Sequence, residues 1–402
     1  MTIQTTSNLT NSIRTQYVAD YYDKAFGQRL YDQLAIPIPG ISPQDAIRGS
    51  SVQVDYLSSM TPGTSAISQV ADMTPQILYD ATASATPTSR GEALQWAENL
   101  DIQVYTDYAK KRIKKLAENA LESIEILAID AALQGTWVER AAARASLDAG
   151  TASHRASDSV FRKMHARMLS LKIPGFMNDM GEANVWSAIM HPYVFHDISE
   201  SGNVDAIGTY QEKGIHLNFE LGQVGPFRLV VSPYAKVFFS AGADNASNCA
   251  TTLDGATDPL ATSFTTADDK SSTATTVPWT IGTEETGNTF YPTNEQVMVN
   301  TVSTTSVSAF VGQAENGGLR FAHANGAAVR NADSVYTIAF GGPGSLVKVY
   351  APGVGEFGEV VGPKESGLAN QFTSIAWKFY GGYARLTDNM ILRGEYSTSY
   401  EA

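Results

Sequence analysis

Apolar residues recur at Ala109, Ile113, Leu116, Ala120, Ile124, Leu127 and Ala131, the three-and-four spacing of a helix with one buried stripe. The pattern predicts a helix from about Tyr105 to Trp137, with Asp107 near its amide-rich start and Gly135 near its stop. At roughly 30 residues such a helix would span about 45 Å, long for an ordinary globular domain. On both sides of it the pattern breaks into short strands, turns and loops.

Upstream, Tyr17, Tyr21, Ala25, Leu30 and Leu34 predict a helix over 14–34, stopped by Pro37, Pro39 and Gly40. Residues 51–57 alternate like a half-exposed strand, Thr61-Pro62-Gly63-Thr64 reads as a turn, and 77–85 as a weaker strand. The Ser/Thr/Ala-rich tract 81–90 would make a poor core, so a long hairpin leaning on another surface is expected before the long helix. Downstream, 141–159 reads as a polar linker. Val160, Met164, Met168 and Leu171 mark a second amphipathic helix over 160–173, ended by Pro174-Gly175. Strands are expected at 185–190, 227–231 and 235–239, with a short helix at 193–199. From 242 to 300 the composition shifts to Thr, Ser, Gly, Asp and Asn. Strands at 295–302, 305–311 and 334–340 make this an all-β insertion. Strands at 345–350, 374–385 and 389–397 follow, with Gly381-Gly382 expected to form a bulge or kink. No internal repeat of fixed period is present.

Composition narrows the picture. Of 402 residues, 43% are hydrophobic and 17% charged, which suits a folded chain of two or three domains. No apolar run reaches the 18 or so residues of a membrane span. Met1-Thr2-Ile3-Gln4-Thr5 has neither the basic start nor the apolar run of a secretory signal. Cys249 is the single cysteine, so one chain can form neither a disulfide nor a thiolate metal cluster. A net charge of −13 argues against tight binding of nucleic acid through its phosphates.

Candidate chemistry is sparse. Of the six histidines (His154, His165, His191, His196, His216 and His323), His191 and His196 flank Pro192 without a metal-binding spacing. Gly341-Gly342-Pro343-Gly344 and Gly353-Val354-Gly355 lack the strand-turn-helix setting and Lys-Ser/Thr of a phosphate loop and read as turns. Asp268-Asp269 lacks the order and closing Glu of a calcium loop. No catalytic, cofactor or metal site is expected. Dispersed catalytic carboxylates would show only as a pair in a pocket. One charge cluster stands out: Lys110, Lys111, Arg112, Lys114 and Lys115 in the first turns of the long helix, where the dipole disfavours cations. These five residues are candidates for an inter-subunit contact. A solvated face balanced by Asp107, Glu118 and Glu122, or a contact with phosphate, are the alternatives.

The order of parts, with certain short runs, resembles the major capsid proteins of tailed bacteriophages with the HK97-type fold, and within them the N4-type major capsid family. The runs are Tyr21-Tyr22-Asp23-Lys24, Met73-Thr74-Pro75, Met190-His191-Pro192-Tyr193-Val194-Phe195-His196-Asp197, and Leu221-Gly222-Gln223-Val224-Gly225-Pro226-Phe227-Arg228 continuing to Pro233 and ending in Ala235-Lys236-Val237-Phe238. The resemblance implies an α+β, HK97-like capsid fold. Its parts would be an N-terminal arm (1–45), an extended hairpin or E-loop (46–104), a spine helix with peripheral domain (105–184) and a first axial part (185–244). A β-rich insertion (245–341) and closing axial and peripheral strands (342–402) would complete it. It further implies self-assembly into pentamers and hexamers of an icosahedral head around double-stranded DNA. The subunit would act without enzymatic activity or cofactor, assemble in the host cytoplasm and end in the virion. Expected partners are copies of itself, a scaffold, a decoration or cement protein, a portal and, by weak contact only, the packaged DNA; no membrane is involved. Some relatives crosslink their shells through a lysine of the hairpin, a route closed here because 45–105 contains no lysine. An exported β-rich surface-layer or adhesin protein is the alternative.

Overall fold

The structure, a computed structural model, describes residues 35–38, 51–57, 60–64, 75–97, 108–176, 185–201, 204–205, 220–243, 250–270, 278–283, 285, 287–314, 316–351, 358–366 and 371–401. The helix predicted over 14–34, the Tyr21–Lys24 run, Met73, Asp107, His216, Cys249 and Gly353–Gly355 lie outside them.

In chain order the elements are β1 (Ala35–Ile38), β2 (Val52–Leu57), β3 (Asp80–Ala85), β4 (Thr88–Ala97), α1 (Tyr108–Leu133), β5 (Val138–Glu139), α2 (Asp158–Ser170), β6 (Trp186–Met190) and α3 (Pro192–Glu200). Then come β7 (Glu220–Val224), β8 (Phe227–Val231), β9 (Val237–Phe238), β10 (Ala250–Thr252), β11 (Phe264–Thr265), β12 (Trp279–Gly282), β13 (Glu295–Ser303), β14 (Ser306–Val311) and β15 (Ala328–Arg330). The chain closes with β16 (Val335–Gly341), β17 (Leu346–Tyr350), β18 (Glu359–Ser366), β19 (Phe372–Arg385) and β20 (Ile391–Tyr396). The described residues of Ala35–Leu121 and Gly344–Thr387 make one unit, and those of Glu122–Pro343 and Asp388–Ala402 a second.

The first unit is organised by β19. Along one edge its first half pairs with β18 and its second half with β17, while β4 runs antiparallel along the other edge from Ala97 to Thr88. β1 joins β17 in parallel. A strand therefore replaces the expected Pro-terminated end at Pro37, a position compatible with an outermost strand because proline has no N–H to give. The tract 81–90, expected as a coreless polar stretch, divides between β3 and β4; Gly91 makes the pairing of β4 possible, since a Cβ there would lie 2.3 Å from the Trp377 carbonyl oxygen. Gly381-Gly382 is not a bulge. Both residues stay in register with β17, and the shift in this sheet falls between β18 and β19 at Val361/Lys364. Gly381 is small for another reason: a Cβ there would meet the Phe379 ring at 2.4 Å and the Val349 carbonyl oxygen at 2.5 Å.

α1 buries Ile113, Leu116, Ala117, Ala120 and Leu121 in the first unit and Ile124, Ala128, Ile129 and Ala132 in the second. The buried band is wider than the predicted stripe, and Leu127 lies at its margin. The helix stops at Leu133, four residues before the expected end. There the Arg393 guanidinium donates to the Leu133 carbonyl, satisfying one of the acceptors a helix end leaves open.

The second unit holds two sheets. One has seven strands, with β16 at its centre between β20 and β6 and also paired with β9. β16 thus belongs here and not with the Thr-rich strands. Phe161, Met164 and Met168 of α2 and Val194 and Ile198 of α3 pack on this sheet around Trp186, Phe227 and Phe340. The run from Met190 to Asp197 forms the end of β6 and most of α3, with Pro192 at the first helical position, where its missing N–H is not needed. The Thr-rich tract forms the second sheet, six antiparallel strands in the order β10-β15-β12-β13-β14-β11, over a core that includes Trp279, Ile281, Val297, Val299 and Leu319.

Gly381→Ala is expected to destabilise the chain by about 1–3 kcal/mol, read from the urea midpoint, because neither neighbour can move away freely. Gly63→Ala, with nothing within 4 Å of the added methyl, is expected to stay within about 0.5 kcal/mol of the parent.

Candidate assembly interface

Among the described residues β2 and β3 pair only with each other, from Val52↔Ala85 to Leu57↔Asp80. Their base is anchored where Ala85 and Val52 pack with Val347 and Val349. Away from that base Thr82 and Asp80 are exposed. Beyond the strands, the Gln76 side chain accepts from the Thr61 N–H and donates to the Thr61 carbonyl, both at 3.0 Å, extending the ribbon without a backbone ladder. On this end stand Met60, Ile77, Leu78 and Tyr79, exposed by 61%, 78%, 43% and 70%. Four large apolar side chains on a two-stranded ribbon form a surface built to be covered.

The basic cluster of α1 is only partly brought together. Lys111 is exposed, and Lys114 and Lys115 lie 3.8 and 3.2 Å from Glu118 with about two thirds of each side chain in solvent. Such surface pairs contribute about 0–1 kcal/mol. The Arg112 guanidinium lies 4.7 Å over the Trp96 ring, so it packs on its own unit. Glu122, expected to balance the cluster, instead accepts with both oxygens from Nη2 of Arg320, at 2.7 and 2.9 Å. The side chain of Lys110 is outside the described residues.

The second unit carries buried polar groups that sequence reading missed. Glu285 accepts from Lys236 Nζ (2.7 Å), the Phe239 N–H (3.0 Å) and Asn294 Nδ2 (3.0 Å). Burial pushes the Glu285 carboxyl up and the Lys236 amine down, and the mutual charge pulls each back. Glu395, fully buried, faces Arg144 (2.7 Å), Arg393 (3.1 Å) and Arg140 (3.3 Å). Glu401 accepts from Tyr336 Oη (2.6 Å), Gln296 Nε2 (2.7 Å) and the Ser334 N–H (2.7 Å), joining β13 of one sheet to the start of β16 in the other. These carboxylates are engaged by donors of their own unit; Glu285 and Glu401 thereby fix the two sheets to each other, and none of the three presents a free acid to a substrate.

His196, Asp197 and Glu200 bring ligand atoms within 4.8 Å on α3. Asp197 already accepts from the Ser399 N–H and hydroxyl, so the group closes a helix end. His191 caps α3: its Nδ1 accepts from the Tyr193 N–H at 3.3 Å, and its ring packs 4.8 Å from Tyr193 and 5.1 Å from Tyr336. Burial lowers its pKa from 6.5 to about 4. Among the described residues no helix is long and apolar enough to cross a membrane.

No family model and no curated protein matches the chain. Solved structures do. The chain matches the capsid of Ralstonia phage GP4 over 90% of its own length and 85% of that chain, with a TM-score of 0.55 at 11% identity. It matches the capsid structure of cyanophage P-SCSP1u over 91% and 87%, with a TM-score of 0.50 at 10% identity. The chain shares its fold with these capsid chains. It is a mixed fold of helices and a majority of strands, matched over nearly its whole length.

Because the His191 pKa is depressed in the fold, the stabilisation from burying neutral imidazole is complete above pH 6.5 and is lost as pH falls toward 4. His191→Asn keeps a capping oxygen but does not titrate. Between pH 7 and 4 the parent is expected to lose on the order of 2–3 kcal/mol more than His191→Asn, measured by urea unfolding at each pH.

Proposed function

We propose that the chain is the major capsid protein of a tailed bacteriophage, with the HK97-type fold and N4-type family affinity that its sequence resembles. The observation that carries this reading is the hairpin. Met60, Ile77, Leu78 and Tyr79 are displayed on a ribbon with no core of its own, in a chain that shares its fold with capsid subunits. Fully covering one such side chain is worth about 1.5–3 kcal/mol. A neighbour lying under the hairpin therefore gains several kcal/mol per contact, repeated around every ring. Such head-to-tail contacts join different surfaces of successive copies and close into pentamers and hexamers. Permanent interfaces of this kind bury about 2,000 Å² or more.

In this reading residues 1–45 are the arm, 46–104 the E-loop, 105–184 the spine and peripheral domain, 185–244 and 342–402 the axial and closing parts, and 245–341 the insertion except for β16, which returns to the seven-stranded sheet. Lys111, Lys114 and Lys115 face acidic groups of a neighbour. The net charge of −13 suits a wall that holds packaged DNA only weakly. Scaffold, portal and decoration proteins are the further partners, the role is structural rather than catalytic, and the location is the virion. The likeness to capsid chains runs through nine tenths of the sequence, not the inserted sheet alone, and this favours a capsid over an exported surface-layer or adhesin protein.

Replacing residues 58–79 with a short Gly/Ser turn is expected to leave soluble subunits with parental circular dichroism that sediment without forming shells. Normal shells from that variant would remove the hairpin from the account. Reversing Lys111, Lys114 and Lys115 to Glu is expected to cost assembly several kcal/mol by placing like charges together, seen as a raised critical concentration. An unchanged critical concentration would return these lysines to a solvated face.

A further inference from the structure

We propose that an aromatic cavity in the second unit is the socket that receives Ile77 and Tyr79 from the hairpin of a second copy. This rests on the capsid reading and names the surface on which the hairpin lies.

The cavity has a volume of about 420 Å³ and walls of Tyr193, Phe239, Phe290, Phe321 and Tyr336. The two charged residues among its lining, Glu122 and Arg320, neutralise each other in the ion pair described above. A charged occupant would find no counter-charge, whereas an uncharged aromatic side chain would find edge-to-face and stacking partners. His191 also lines it. With its Nδ1 accepting from Tyr193, the neutral ring carries its proton on Nε2, a donor suited to a phenol or carbonyl oxygen.

The surface outside the cavity sets the spacing of what can bind. Met298 and Val311 are directly opposite on β13 and β14, exposed by 43% and 57%, an apolar rung open to solvent. Gln296, two residues from Met298 along β13, and Gln313, just beyond the end of β14 at Val311, line the cavity. Same-face positions two residues apart are about 6.6–6.8 Å apart in a strand. The surface therefore fits an extended, uncharged segment with apolar side chains at i and i+2, one on the rung and one in the cavity.

The chain displays an uncharged segment with exposed apolar side chains at that spacing. Pro75-Gln76-Ile77-Leu78-Tyr79 carries no charge, immediately precedes β3, and exposes Ile77 and Tyr79 more than any other large hydrophobic residue described. Tyr79 would enter the cavity and Ile77 would cover Met298 and Val311. Socket and segment are different surfaces of one chain, so the contact propagates from copy to copy, as a closed ring requires.

The test uses full-length chains with Cys249→Ser. Subunits carrying Ile77→Cys are co-assembled with subunits carrying Val311→Cys and treated with a short bismaleimide. A covalent dimer on a denaturing gel is expected, at least tenfold more abundant than with Leu169→Cys, an exposed position on α2 outside the socket. If Ile77→Cys subunits do not enter shells, Leu78→Cys replaces them with the same expectation. Shells that form without a dimer preferring Val311 overturn the socket and leave the capsid reading intact. A link that forms within one Ile77→Cys/Val311→Cys subunit, and never between singly substituted ones, also overturns it. Failure of the unsubstituted chain to assemble would instead remove the reading on which the socket rests.

Discussion

A two-stranded ribbon cannot bury both of its faces, and this constraint governs the molecule. β2 and β3 satisfy each other's backbone groups and are anchored at one end by Ala85, Val347 and Val349. Toward the other end there is no third strand among the described residues, and the apolar side chains stand in solvent. An isolated hairpin of this kind is marginal in water. Its stability must come from a surface outside the ribbon, which the proposed assembly would supply at every position.

The second unit shows the opposite strategy. Its two sheets are tied by groups that are individually costly to bury, Glu285 with Lys236 and Glu401 with Tyr336, Gln296 and the Ser334 backbone, while Glu395 gathers three arginines on the seven-stranded side. A buried pair of this kind adds little net stability over an apolar replacement, but loss of one partner costs about 3–5 kcal/mol. Such contacts act chiefly to make one arrangement of the two sheets much better than its neighbours. Under the proposed capsid role, a subunit that presents the same surfaces to identical copies needs that uniqueness.

Much of the framework was legible in the sequence because it rests on periodicity. The α1 stripe, the α2 positions Met164 and Met168, the run Phe227–Val231 and the break at Pro192 all follow from local pattern. What escaped was set by distant partners. β4 has no clean alternation and is a strand because β19 lies beside it along its whole length. Gly381-Gly382 looked like a kink and is instead a site where a ring and a carbonyl leave no room for a Cβ. Of the assembly surfaces, the hairpin was visible as a segment lacking a core, but its exposed apolar end was not. Arg112 read as one of five equivalent cations until Trp96 proved to lie beneath it. Most of the carboxylate ties join distant residues, Glu395 and Arg144 being 251 positions apart, and left no local signature.

The central claim is that the subunit completes itself only against copies of itself. Electron microscopy of the purified chain at high concentration tests this most directly. Closed particles built of rings, with each hairpin lying on the next copy, are the predicted result. A population that remains monomeric, with Ile77 and Tyr79 covered by the same chain, would contradict it.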